Sequence, residues 1–263
     1  MNRNQLSFPY CMCNSQIPKI SLKQRGESML KELKINVVLT HPMHYHDAGE
    51  ALGEFLHFIM TEDEELKVRH KERVPKLYSF AHLFPIERTG IYEPGKAYFF
   101  RVRSASQEFL EKIAFHINRV KWKGFIVLST EWVDIRTSQN QYFRTITPFV
   151  IIHPHDKGKY WTQESGNLTR HITNNLLHKY RLLAGLTEKI EKEVIQDIKL
   201  ISPKPAVLNY KGNKMLGHKL LISFKEDFFS QQIKDLAIAA GVGEKNSSLG
   251  AGFLEPCREV NYR

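Results

Sequence analysis

The order of strand-like and helix-like segments between residues 33 and 135 constrains the fold of this chain more than any other feature. Runs of β-branched and apolar residues, typical of strands, alternate with segments whose apolar residues recur every three or four positions, typical of amphipathic helices. The predicted strands are residues 33–40, 76–83, 96–103 and 124–135. The predicted helices begin at capping residues Asp47, Thr61 and Ser104. This β-α-(α)-β-β-α-β order predicts a ferredoxin-like unit.

The same order returns after the polar segment 136–142. Strands are predicted at 144–153, 195–204, 218–224 and from Phe253, and helices at 164–183 and 225–240. The sequence therefore predicts an α+β fold of tandem ferredoxin-like, RRM-like domains, at residues 31–140 and 141–263. Two such sheets side by side would leave a long cleft between them.

Residues 1–30 follow neither period and mix Pro, Asn, Gln and Ser. We expect a disordered tail or a non-native extension. In the second case the biological start is Met29, because the codons for residues 24–27 can contain a ribosome-binding sequence. N-terminal sequencing of the native protein tests this expectation.

The charge of the chain favours a polyanionic partner. It has 263 residues and a formal net charge of +10. Charge alone does not separate nucleic acid from an anionic membrane. Because no apolar run approaches the roughly 18 residues of a membrane span and no signal peptide is visible, we expect a cytoplasmic protein without membrane contact. Three cysteines, Cys11, Cys13 and Cys257, lack zinc spacing and fit a reducing compartment.

A glycine-rich segment, residues 241–252, lies between the last predicted helix and the last predicted strand. Its four glycines permit positive φ angles, and successive backbone N–H groups in such a turn can bind an anion. No glycine here is followed by Lys, which excludes a Walker loop. The segment follows a helix and opens a strand, which excludes a Rossmann fingerprint. On pattern alone, a flexible turn remains the alternative.

The sequence of this segment resembles the glycine-rich loop G-x-G-E-K-x-S-x-G-x-G of CRISPR-associated endoribonucleases of the RAMP superfamily. These enzymes cut precursor CRISPR RNA within its repeats. The segment reads GVGEKNSSLGAG and departs by one extra residue, since Ser247 and Ser248 stand where the common form has one serine. The motif is shared by members that cut RNA and members that only hold it.

The resemblance covers roughly residues 33–255. HKERVPKLYSF, residues 70–80, is similar to the family's His-x₄-Pro-Lys-Leu-[FY] segment. Residues 84–101 look like its second and third strands, while Thr147 and the Leu176-x-x-Lys179-Tyr180 block look like the start of its second half. Each block is weak alone, but their order and spacing are specific.

The resemblance implies RNA cleavage without a metal or another cofactor. The 2′-hydroxyl beside the scissile phosphate attacks it, which leaves a 2′,3′-cyclic phosphate and a 5′-hydroxyl. The reaction needs a base, an acid and a positive charge near the phosphorane-like transition state. Imidazole suits proton transfer near neutral pH, and a lysine ammonium suits the charge.

The resemblance makes His70 the first candidate for proton transfer and Lys76 the candidate for charge stabilisation. The end of a short helix should favour the imidazolium form of His70. The family also places a Tyr or a second His on the first helix, and His57 is the candidate there. His44 and His46, in the preceding loop, are further candidates. For each of these residues a solvated surface side chain is the alternative.

The candidates for binding RNA are residues of the glycine-rich segment, through their backbone, and basic residues, through their charge. They are Gly241, Gly243, Lys245, Ser247, Ser248, Gly250, Gly252, Lys211, Lys214, Arg101 and Arg103. The aromatic residues Tyr78, Tyr98, Phe99 and Trp132 can either stack on unpaired bases or pack in the core.

The expected partner is CRISPR repeat RNA, and two other functions stay open. One is a non-catalytic RAMP subunit that binds guide RNA within a multi-subunit effector complex. The other is a basic ferredoxin-like protein that binds small anions or a protein. Homodimers also occur in such families, and the sequence leaves the oligomeric state open.

Overall fold

A computed structural model describes residues 29–257, except 73, 138–139, 153–159, 162–165 and 203. The predictions for the N-terminal tail, including Cys11 and Cys13, lie outside the described residues.

The first half of the chain forms a four-stranded antiparallel sheet with helices on one face. Its elements are β1 (Met29–Leu39), β2 (Met43–His44), α1 (Tyr45–Thr61), α2 (Glu64–Lys71), β3 (Tyr78–Phe80), β4 (Ile91–Tyr92), β5 (Ala97–Ser104), α3 (Gln107–Ile117) and β6 (Phe125–Arg136). The strand order β3-β5-β1-β6 is that of a ferredoxin-like unit. The short strands β2 and β4 pair with each other beside it.

The second half repeats this arrangement. Its elements are β7 (Tyr142–Thr145), α4 (Leu168–Ala184), β8 (Ile195–Leu200), β9 (Ala206–Tyr210), β10 (Asn213–Gly217), β11 (Leu220–Phe224), α5 (Phe228–Ala240), α6 (Asn246–Leu249) and β12 (Leu254–Cys257). The order β12-β7-β11-β8 again has the first and third strands of the unit at the centre. The strands β9 and β10 form a separate hairpin.

Each half of the chain buries its own apolar core between its sheet and its helices. Leu33, Ile35 and Val37 on β1 are fully buried and form one core with Phe55 of α1 and Phe100 of β5. A second core gathers residues of α4, α5 and the second sheet. The tandem ferredoxin-like fold predicted from the order of elements is confirmed. The division at residues 140 and 141 stays a prediction, although β6 ends at Arg136 and β7 begins at Tyr142.

The helix starts differ from the predicted capping residues. Helix α1 begins earlier than Asp47, because the His44 ring caps it and accepts from the His46 amide at 3.2 Å. Asp63, not Thr61, caps α2 and accepts from the Leu66 amide at 2.9 Å. Ser106 takes the place predicted for Ser104 at α3. In each case the capping side chain lies within three residues of the predicted one, since several polar residues precede each helix.

The two halves are joined by buried polar contacts. Arg103 of β5 is 2% exposed, and its guanidinium donates to Glu32 at 2.7 Å and to the Leu254 carbonyl of β12 at 2.5 Å. Arg101, also on β5, forms an ion pair with Glu255 of β12. In the part of the chain that the structure describes, no helix is long and apolar enough to cross a membrane.

Candidate active site

Helices α1 and α2 bring His57 and His70 together. The centroids of the two rings lie 4.7 Å apart. The helical period places His57 opposite the core face of α1, but the second half of the chain covers much of that face. Burial, together with the neighbouring His70, lowers the pKa of His57 to about 4. The His57 ring is therefore neutral at pH 7 and can accept a proton.

His70 lies in the last turn of α2 and faces the same space. Its Nδ1 is buried and has no hydrogen-bond partner within the described ranges. The helix end was expected to favour its imidazolium form. Instead, burial and the positive charge of Lys76 lower the pKa of His70, so this expectation is wrong.

Lys76 lies beside His70 but has its own hydrogen bonds. Its Nζ donates to the carbonyls of Arg69 and Glu72 at the end of α2, the second at 2.5 Å. Burial lowers the pKa of Lys76, and Glu72 opposes this shift. Its charge therefore acts on the imidazole pair from a fixed position.

The glycine-rich segment forms a folded unit that includes α6. The glycines at 241, 243, 250 and 252 have φ between +63° and +74°, and Lys245 within the segment also has a positive φ, of +60°. A Cβ at Gly250 would overlap the Phe80 backbone of β3. Positive φ and close packing thus explain the glycines without reference to a ligand.

Two glycines of α1, Gly49 and Gly53, allow the segment to approach and were missed in the sequence. A Cβ on Gly53 would overlap the Ser248 carbonyl oxygen, and one on Gly49 would lie 2.7 Å from that of Leu249. Their i, i+4 spacing on one helix face was the available signal.

Ser247 links the segment to the imidazole pair. Its backbone hydrogen-bonds His57 and accepts from the Tyr78 hydroxyl at 3.0 Å. Tyr78 is buried, as is Tyr98, so neither can stack on a base as considered from the sequence. Phe99 is partly buried and Trp132 is 47% exposed.

The hairpin β9–β10 lies against α1 and carries lysines past the imidazoles. The Asn209 side chain donates to Asp47 at 2.6 Å, and the Lys211 amide donates to Glu50 at 2.6 Å. The ammonium groups of Lys211 and Lys245 lie 5.5 Å and 4.9 Å from the centre of the Tyr210 ring. Lys211 also lowers the pKa of His57, which places this cation near the candidate site.

His44 and His46 lie at the other end of α1. Their rings are 4.7 Å apart, with Tyr45 between them in the chain. Burial lowers the pKa of His46, and Lys214 of the hairpin contributes to this shift. His57 lies eleven positions after His46 in the helix, about 16 Å along its axis at the usual rise. The structure therefore does not bring His44 and His46 to the His57–His70 pair.

The structure contradicts the prediction that Arg101 and Arg103 bind RNA. The guanidinium of Arg103 is buried and is held by Glu32 and a backbone carbonyl, and that of Arg101 is paired with Glu255. Both also lie over the Phe253 ring. They connect the halves of the molecule and are not available to a phosphate.

Among the described residues, no three His, Cys, Asp or Glu side chains gather as they would to bind a metal ion. The cluster brings together two neutral imidazoles, a lysine and a backbone carbonyl. Such a set can accept, donate and orient protons beside an anion.

Residues 130–256 match a family model described as CRISPR associated protein Cas6, C-terminal. No curated protein matches the chain. The match covers the glycine-rich segment and the Leu176–Tyr180 block, and it confirms the resemblance drawn from these parts of the sequence.

Several solved structures have the same fold. One described as CRISPR associated protein Cas6 superposes with a TM-score of 0.66 at 15% identity, covering 88% of this chain and 100% of that chain. A RAMP protein described as binding different RNA substrates gives 0.68 at 15% identity, with 87% and 100% covered. A Cas6-related protein from Pyrococcus furiosus gives 0.65 at 18% identity, with 89% and 100% covered.

Proposed function

We propose that this chain, a Cas6-like protein whose residues 130–256 match the Cas6 C-terminal family, is an endoribonuclease that cleaves precursor CRISPR RNA within its repeats. The observation that carries the proposal is the pair of partly buried imidazoles, His57 and His70, whose ring centres lie 4.7 Å apart. Lys76, the hairpin lysines and the glycine-rich segment surround this pair. A structure with the same fold is described as a Cas6 product complex, with a TM-score of 0.56 at 13% identity.

The reaction follows from the protonation of the pair. His57 takes the proton of the 2′-hydroxyl as its oxygen forms a bond to phosphorus. The bond from phosphorus to the 5′-oxygen breaks, and the imidazolium of His70 gives this oxygen a proton. Burial and neighbouring cations lower the pKa of both His57 and His70, so both rings are neutral before RNA binds. A scissile phosphate near both rings stabilises the protonated form.

Positive charge from Lys76 stabilises the phosphorane-like transition state at short range. The Lys76 ammonium keeps its contacts to the end of α2, and therefore acts through its fixed charge. Lys211, Lys214 and Lys245 hold the RNA backbone along α1.

The second candidate is a subunit that binds guide RNA without cutting it. The observation in its favour is the engagement of Lys76 by two helix carbonyls, which keeps its ammonium from approaching a phosphate freely. A structure described as a partial Cas6-RT-Cas1–Cas2 complex has a similar fold, with a TM-score of 0.52 and 46% of that longer chain covered. Assembly with further subunits fits either candidate, and so does a homodimer.

One cleavage assay separates the two candidates. Wild-type protein is incubated with a labelled repeat RNA in EDTA, and the product ends are analysed by mass. We expect a single cut with a 2′,3′-cyclic phosphate and a 5′-hydroxyl. Salt-sensitive binding without a cut supports the guide-binding subunit. Cleavage that EDTA abolishes and a divalent ion restores contradicts the metal-free mechanism.

A further inference from the structure

One buried lysine of the second half holds the glycine-rich segment from beneath. Lys179 on α4 is 3% exposed. Its Nζ donates to the Gly241 carbonyl at 2.7 Å, to the Gly243 carbonyl at 3.0 Å and to Asn246 Oδ1 at 2.7 Å. These three acceptors, all within 3.0 Å, match the three N–H donors of an ammonium group, while the Ala240 carbonyl lies farther away, at 3.5 Å. The contact is thus specific to the charged form of a lysine.

Asn246 carries this constraint towards the imidazole pair. Its Nδ2 donates to two backbone carbonyls of the segment, at 3.0 Å and 2.7 Å. The next residue, Ser247, accepts from the Tyr78 hydroxyl at 3.0 Å and hydrogen-bonds His57. A connected path of hydrogen bonds and one peptide bond therefore runs from Lys179 to the His57 ring.

The surroundings of Lys179 are mixed in charge. A cavity of about 130 Å³ beneath the segment is lined by Lys179 together with Lys76, Lys245, Glu244 and Asn175. Burial lowers the pKa of Lys179 to about 7, and the Glu244 carboxylate opposes this shift. A neutral amine has two N–H donors, so deprotonation leaves one of the three acceptors without a partner.

We infer that Lys179 is a positioning residue for cleavage. Its ammonium fixes the glycine-rich segment so that the Ser247 backbone orients the His57 ring beside His70. Only the kinetic part of this inference rests on the proposed function, because the environment of His57 can be measured without RNA.

The test compares Lys179→Met with wild type by two readouts. The first is the pKa of His57, measured from imidazole NMR signals. We expect it to rise from about 4 towards the ordinary 6.5. Burial is the largest cause of the lowered pKa, so its loss outweighs the loss of the Ser247 hydrogen bond, which raises the pKa of His57. The second is single-turnover cleavage at saturating RNA, which should slow about tenfold or more while RNA affinity stays within about threefold.

Lys234→Met is the matched control. Lys234 on α5 is also buried, at 5% exposure, and its Nζ donates to the Thr137 carbonyl at 3.0 Å. Its loss should leave the His57 pKa and the cleavage rate unchanged. If Lys179→Met does not fold, Asn246→Ala interrupts the same path while keeping the Lys179 charge, and it should also raise the His57 pKa.

Two results would overturn the inference. One is a wild-type His57 pKa in a folded Lys179→Met or, where that variant does not fold, in Asn246→Ala. The other is an equal change of that pKa in Lys234→Met. If wild-type protein cuts no RNA, the proposed function fails separately, and the His57 titration still decides the role of Lys179.

Discussion

His57 owes its acid–base behaviour to a surface that is assembled late along the chain. Its helix is formed by residues 45–61, but Ser247, whose backbone hydrogen-bonds the His57 ring, comes almost two hundred residues later. The sequence supplied His57, His70 and Lys76 as candidates through a short motif. It gave no sign that the rings are in contact or that Lys76 donates to the end of α2. The first depends on how α1 packs against α2, and the second on the path of the chain between α2 and β3.

Removal of the proposed proton donor should separate cleavage from binding. His70→Ala is expected to slow cleavage of a repeat RNA by about 10²-fold or more, while its affinity for the RNA stays within a few-fold. His178→Ala, at an exposed position on α4, is the control and should cut at the wild-type rate. If His70→Ala cuts normally, proton transfer belongs to another histidine, with His44 and His46 the next to test.

The buried state of His57 should also appear in the acid stability of the protein. Between pH 6.5 and about 4 the unfolded chain binds a proton at His57 that the folded chain does not. The free energy of unfolding therefore falls as the pH falls through this window, by up to about 3 kcal/mol from this group.

Urea denaturation of His57→Gln at pH 7 and pH 4.5 measures this contribution. The loss of stability on acidification should be smaller in the variant than in wild type. His178→Gln should lose as much stability as wild type. An equal loss in His57→Gln would show that this imidazole is not protected from protonation.

At the scale of elements, α1 has two working faces. One face packs in the first core, and the spacing of the apolar residues in α1 predicts this face correctly. The other carries Gly49, Gly53 and His57 and contacts α6 and the hairpin β9–β10. Helical periodicity indicates that this face is polar or small, but it does not say that a second domain covers it. That is why a solvated side chain stayed the alternative to a catalytic role for His57.

Whether one substitution raises or lowers the free energy of unfolding tests this close packing. In an exposed helix, Gly→Ala stabilises by about 1 kcal/mol. Gly53→Ala should instead destabilise the protein by about 1–3 kcal/mol, because the added Cβ overlaps the Ser248 carbonyl. Glu54→Ala, at an exposed position on the same helix, should change stability by less than about 0.5 kcal/mol. A rise in the urea midpoint for Gly53→Ala would show that the segment does not lie against α1.

At the scale of the whole molecule, the two halves are locked by buried charge. The order of elements was sufficient to predict two ferredoxin-like sheets, since the same succession of strands and helices occurs in each half. It was not sufficient to predict which surfaces meet. Arg103 has a sequence context like any basic residue at a strand end, and its burial against Glu32 and β12 appears only in the structure.

Breaking this lock should be costly. Arg103→Met leaves the Glu32 carboxylate buried without its partner, which should reduce the free energy of unfolding by about 3–5 kcal/mol. Changing both residues, Arg103→Met with Glu32→Leu, should recover most of the loss. Lys34→Met removes an exposed ion pair with Glu131 and should cost less than about 1 kcal/mol. Urea denaturation of wild type and the three variants measures these changes. A loss of less than about 1 kcal/mol for Arg103→Met alone would contradict a buried ion pair between Arg103 and Glu32.

The central claim is that the chain cuts RNA through the RNA's own 2′-hydroxyl, with two imidazoles moving the protons. The direct measurement uses a repeat RNA with a single 2′-deoxy nucleotide before the mapped cut, in EDTA, beside the unmodified RNA. The account predicts that wild-type protein binds both RNAs with similar affinity and cuts only the unmodified one. Cleavage of the deoxy-substituted RNA at the same bond would contradict it.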